Sequence, residues 1–173
     1  AVIAGLIVNA QLLSWTPPFP KENDASQTLI ITVDATKGNQ GLLNYSPASD
    51  VYVHIGVITT SSTNSSDWKH SLFTWGTTTP AANAPSAGTN KWQYTITGSL
   101  RTFFNITDPN ETILKIAILF RNGNGSKAQR NSDGGDMYVP VYNNNLSVRI
   151  DQPPFQPKYI PVAEPQNWIV GTN

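Results

Sequence analysis

Residues 51–57, VYVHIGV, alternate strictly: Val51, Val53, Ile55 and Val57 fall on one face of an extended chain, Tyr52 and His54 on the other. Side chains of a strand switch sides at every residue, so this spacing specifies a strand with one buried face. The same rule puts Trp92, Tyr94 and Ile96 together in 92–97, with the tryptophan assigned to the core. Residues 28–34 (TLIITVD) are apolar and β-branched, and 113–120 (ILKIAILF) are almost continuously apolar, as expected of a central sandwich strand. Segments 137–142 and 146–150 complete a set of about seven strands. Between them lie loops of Ser, Thr, Asn and Gly, and RNGNGS at 121–126 holds two Asn-Gly turn signals. Only 98–105 leaves room for a short helix, with Leu100, Phe103 and Phe104 on its apolar side. No segment carries a long helical period. The expected fold is all-β, an antiparallel immunoglobulin-like β-sandwich.

The two ends read differently from this middle. Residues 1–10 (AVIAGLIVNA) are apolar as far as Asn9, too short for a bilayer crossing of about 20 residues. They match the end of a secretory signal peptide, with Val8 and Ala10 at the small positions before a cut ahead of Gln11. The basic start of such a signal is missing, so the expectation is a remnant; a buried first strand is the other reading. Residues 146–173 hold five of the thirteen prolines, a composition that favours an extended linker. The final NWIVGTN at 167–173 reads as the opening of a further domain, which also sets Trp168 apart. The chain is thus divided into a signal remnant (1–10), a β-sandwich (11–145) and a linker with the start of a following domain (146–173). A secreted or cell-surface protein is expected.

Composition narrows the chemistry. Eleven basic and eleven acidic side chains cancel, whereas nucleic-acid binding calls for a basic footprint, and no membrane partner is expected. There is no cysteine, which removes disulfides, zinc–thiolate sites and thiol catalysis. A serine hydrolase would have to use His54 or His70, and no Gly-x-Ser-x-Gly elbow occurs. A glycosidase needs two carboxylates, and only Asp133 and Asp136 in DGGD lie close in sequence. A Gly-Gly turn holding two acids reads more simply as a solvated hairpin, so no catalysis is expected. Asp34 with Asn39, and Asp133 with Asp136, offer oxygen ligands of the kind calcium accepts. Neither stretch fits an EF-hand loop, and both suit Asx turns; no cofactor is expected, with a structural calcium left open.

The surface must instead be polar without charge, and the chain holds 17 Asn, 18 Thr and 14 Ser beside five Trp. Tyr52 and His54 face away from the valine side of their strand. A Ser/Thr/Asn loop then leads to Asp67, Trp68, Lys69 and His70, and Trp75 follows before Gly76. A tryptophan projecting from a polar loop suits a ligand, since sugar rings stack C–H faces on indole while Lys, Asn and His bond their hydroxyls. Burial of Trp68 and Trp75 in the core is the competing reading.

The segments TVDATKGNQGL (32–42), DVYVHIGVIT (50–59), SDWKH (66–70), TWG (74–76), ETILKIAILFRNGNGSK (111–127) and DGGDMYVPVY (133–142) carry a resemblance. In order, they resemble a module that precedes the catalytic domain in secreted α-amylase-family proteins of the Bacteroidetes. YIPVAEP (159–165) is similar to the join with that family's next β-sandwich. DVYVHIGV followed by a tryptophan also resembles the starch-binding modules of carbohydrate-binding family 25. The resemblance implies a non-catalytic module that binds a starch-like α-glucan polysaccharide for a catalytic domain in the same parent chain. It implies His54 as a hydrogen-bonding and packing partner and Trp68 or Trp75 as the stacking platform; Lys69 and Tyr52 join the candidate ligand-binding residues on their sequence positions alone. The alternative is a structural spacer, or an exported filament or adhesion subunit that contacts protein through its sheet edges.

Overall fold

The computed structural model describes residues 11–142. The alternating segments become strands: β1 (Leu13–Thr16), β2 (Thr28–Asp34), β3 (Val51–Thr59), β4 (Ser86–Gly88), β5 (Lys91–Thr97), β6 (Ile113–Asn122), β7 (Ala128–Gln129) and β8 (Met137–Pro140). One antiparallel sheet has the order β1-β2-β5-β4; in the other, β3 pairs with one edge of β6 while β7 and β8 share the opposite edge. The protein is an all-β sandwich of two antiparallel sheets. The helix expected within 98–105 is a single turn, α1 (Leu100–Phe103), burying Leu100 and followed by buried Phe104. Among the described residues no helix is long and apolar enough to cross a membrane.

The core lies where the facing sides of the sheets meet. Leu29, Ile31 and Val33 of β2 and Trp92, Tyr94 and Ile96 of β5 pack with Val51, Val53, Ile55 and Val57 of β3 and Ile116, Ile118 and Phe120 of β6. The buried polar tips are satisfied, as such tips require: Trp92 Nε1 donates to the Ala48 carbonyl at 2.8 Å and the Tyr94 hydroxyl to that of Ala81 at 2.9 Å. Three strands carry no sequence signal, β1, β4 and β7, because each is short (LSWT, SAG, AQ) and is made extended by the neighbour it pairs with. The strand expected at 137–142 ends at Pro140. The expected strand at 146–150, the apolar 1–10 and the proline-rich 146–173 lie outside the described residues.

β6 is apolar on both faces because the second sheet is covered on its outer side as well. Cross-strand pairs on that side are Tyr52 with Arg121, His54 with Leu119, Gly56 with Ala117, and Ile58 with Lys115. The connection 60–79 folds back over them. Its backbone bonds the free edge of β3, with Val57 and Lys69 exchanging N–H···O bonds of 2.9 and 2.8 Å and Leu72 N donating to Ile55 O at 3.2 Å. That contact covers an edge otherwise open to pairing with another chain. Under it, Ile58, Ala117 and Tyr138 form a second small cluster against which Trp68 packs.

Candidate functional site

The outer layer of the second sheet gathers the aromatic residues. Strand alternation turns His54 outward on β3, and the returning connection brings Trp68 over it, ring centroids 5.3 Å apart with 22° between planes. Trp75, farther along the same connection, meets His54 edge-on at 5.4 Å and 80°. The two indoles are therefore a floor and a wall around one imidazole rather than a flat platform. They enclose an open cavity of about 380 Å³ lined by His54, Ser66, Asp67, Trp68, Trp75, Leu119, Arg130 and Asp136.

Two glycines permit this arrangement. A Cβ at Gly56 would stand 2.9 Å from both the Lys69 carbonyl and Ser71 Oγ, so only glycine lets the connection lie flat on β3 two residues from His54. Gly125, at φ +75°, lies against the Trp75 indole, where a Cβ would overlap Nε1 and Cδ1. The Asn-Gly turn after β6 therefore supports Trp75 from behind.

The walls differ in character. Trp68 is partly buried, and its Nε1 donates to Asp136 Oδ2 at 3.0 Å, so it offers a ligand its ring face rather than its N–H. Trp75 is 38% exposed. Behind it lies Arg121, wholly buried, its guanidinium 5.7 Å from the ring centres of both Trp75 and Tyr52. Arg121 donates to the carbonyls of Asn122 and Gly123 at 2.9 Å and of Thr77 at 2.6 Å, which ties the Trp75 segment to β6. Burial lowers the Arg121 pKa from its usual value, yet guanidinium stays charged.

Burial also pushes the His54 pKa below that of a free imidazole; the Phe73 backbone opposes this, and smaller charge effects follow, Arg121 downward and Asp136 upward. Its Nδ1 is sealed inside with no well-formed hydrogen bond, which leaves Nε2 as the ring nitrogen able to meet a ligand. A neutral imidazole suits an uncharged partner. Asp67 accepts Thr63 N–H at 2.9 Å and its hydroxyl at 3.1 Å on Oδ2, and Lys69 Nζ at 2.9 Å on Oδ1. Chiefly the Thr63 N–H holds its pKa below the usual carboxylate value.

Of the residues singled out from sequence, His54, Trp68 and Trp75 meet at one cavity. Lys69 is directed to Asp67, and Tyr52 packs on Arg121 at one side; neither lines the cavity. The DGGD pair divides: Asp133 Oδ1 accepts the Gly135 N–H in an Asx turn, while Asp136 joins the cavity wall and pairs with Arg130 at 2.9 Å. Sequence reasoning missed Arg130, gave Ser66 no role beyond its place in SDWKH, and weighed Asp136 only as a catalytic acid or calcium ligand. The calcium candidates Asp34 and Asn39 are engaged in turns, Asp34 Oδ1 taking the Thr36 N–H and hydroxyl and Asn39 Oδ1 the Gly41 and Arg130 N–H groups. Among the described residues no group of three His, Asp or Glu side chains converges as metal ligands would. His70 Nε2 lies 3.1 Å from Glu111 Oε2, and Ser61 Oγ donates to the other oxygen of that carboxylate at 2.7 Å.

No protein-family model matches the chain, and no curated protein is similar to it.

Proposed function

We propose that this chain is a non-catalytic carbohydrate-binding module whose ligand is a starch-like α-glucan, held for a secreted amylase-like enzyme in the same parent protein. One observation carries the reading: an outward His54 is flanked by two tryptophans set at different angles around an open cavity rimmed by polar side chains. Indole faces suit the apolar C–H faces of a pyranose, and the Ser, Arg and Asp groups suit its hydroxyls. The resemblance to family 25 modules supplies the α-glucan, since the cavity's chemistry accommodates neutral sugars generally. A single shallow site of this size binds weakly and gains from tethering or repetition.

The alternative of a structural spacer is favoured by Trp68, which packs on Ile58, Ala117 and Tyr138 and bonds Asp136 as an anchor of the connection would. Trp75, being exposed, separates the two readings. In affinity electrophoresis through starch the protein is retarded relative to a gel with an unrelated polysaccharide, and Trp75→Ala abolishes the retardation with only a small shift of the urea midpoint. Equal mobility of the unaltered protein in both gels refutes the starch reading and favours the spacer.

A further inference from the structure

We infer that Asp136 is the specificity-determining residue of the cavity and that it reads a vicinal pair of hydroxyls on the sugar. The inference rests on the carbohydrate reading and adds to it a residue and a recognised group. Both carboxylate oxygens of Asp136 are held from within the protein: Oδ2 accepts the Trp68 indole N–H at 3.0 Å and Oδ1 accepts Arg130 Nη1 at 2.9 Å. The backbone is fixed too, with Asn131 Nδ2 donating to Asp136 O at 2.6 Å and Asn131 N to Gly135 O at 3.1 Å. Each carboxylate oxygen offers about two acceptor positions; the Tyr138 hydroxyl beside them donates to the Ser65 carbonyl at 2.8 Å, so one on each remains for a ligand. The side chain is 19% exposed and lines the cavity.

Two acceptors side by side on one rigid group match two O–H donors on neighbouring ring carbons. Arg130, also in the wall, keeps N–H donors for the lone pairs of the same hydroxyls. Asp67 is the other carboxylate nearby, but its Oδ2 already accepts two bonds and its Oδ1 holds Lys69. The acceptor pair belongs to Asp136. Along a 1,4-linked glucan the vicinal hydroxyls left free in each interior unit are those at carbons 2 and 3, and those are the groups assigned to it. Because the carboxylate is oriented before the ligand arrives, little ordering cost offsets the bonds it makes.

Calorimetric titration of the full chain with maltoheptaose and with maltoheptaose methylated at its 2- and 3-hydroxyls tests this. The unaltered protein binds the methylated sugar about tenfold or more weakly. Asp136→Asn, whose amide oxygen still accepts the Trp68 N–H, binds maltoheptaose about tenfold more weakly and no longer distinguishes the two probes. A steric effect of the methyl groups would leave the discrimination intact in Asp136→Asn, and that result overturns the assignment while binding by the unaltered protein upholds the carbohydrate reading. Arg130→Gln provides a second variant, with expected loss of affinity but retained discrimination; loss of discrimination there transfers the role to Arg130. If the unaltered protein binds neither probe, the glucan reading fails along with the inference.

Discussion

At the level of single residues, the site depends on atoms that are missing as much as on those present. Gly56 follows His54 by two positions and shares its outward face, and the absence of a Cβ there lets residues 69–71 press against β3. Gly56→Ala places a methyl against a carbonyl and a hydroxyl that cannot both retreat. The expected loss is about 1–3 kcal/mol, as for overpacking elsewhere, with a changed near-UV circular dichroism signal as the Trp68–His54 stack opens. A urea titration followed at both wavelengths measures the two effects. The outward direction of His54 was legible from VYVHIGV alone, because strand alternation is local. The role of Asp136 was not, since DGGD has the composition of any solvated turn and gains its meaning only when the hairpin lays it beside Trp68, 68 positions earlier.

Among the elements, the connection 60–79 behaves as a third layer, and Glu111 is one of its points of attachment. That carboxylate accepts Thr59 and Ser61 hydroxyls at 2.6 and 2.7 Å on Oε1 and faces His70 Nε2 at 3.1 Å on Oε2, joining the end of β3, the start of β6 and the returning chain. The hydroxyl bonds, Thr59 first, draw its pKa down to about 2. The folded state therefore holds this proton less readily than the unfolded chain. The stabilisation is fully present above the ordinary glutamate pKa and is lost as acid takes the pH down from that value to about 2. Glu111→Gln should cost about 1–2 kcal/mol near neutrality and flatten the fall in stability over that acid range, read from urea midpoints at a series of pH values. The strands β3 and β5 were legible as alternating segments, β2 and β6 as β-branched or continuous apolar runs. β1, β4 and β7 were not, because two to four residues cannot display a period and their extension is imposed by a partner.

Across the whole molecule, stability and the proposed binding reside in different layers. The inner core is contiguous across both sheets and includes Ile118, wholly buried. Ile118→Ala should cost about 2–5 kcal/mol, seen as a lowered urea midpoint with an unchanged slope. Trp75→Ala, on the outer layer, should leave that midpoint close to the original. A chain poor in charge can build such a structure because its loops bond to themselves. Asn39, Asn64, Asn122 and Asn124 each accept a backbone N–H within or beside their turns, work the many amide side chains perform in place of ion pairs. By itself, the sequence determined the β class, the inward and outward faces of the periodic strands, the single helical turn, and the exclusion of thiol chemistry, since all these follow from spacing and composition. Tertiary structure alone decided that His54, two tryptophans, Arg130 and Asp136 share one cavity, and that Lys69 and Tyr52 stand outside it. Their neighbourhood is set by a connection folding over a sheet, and contacts between residues tens of positions apart leave no periodic trace along the chain.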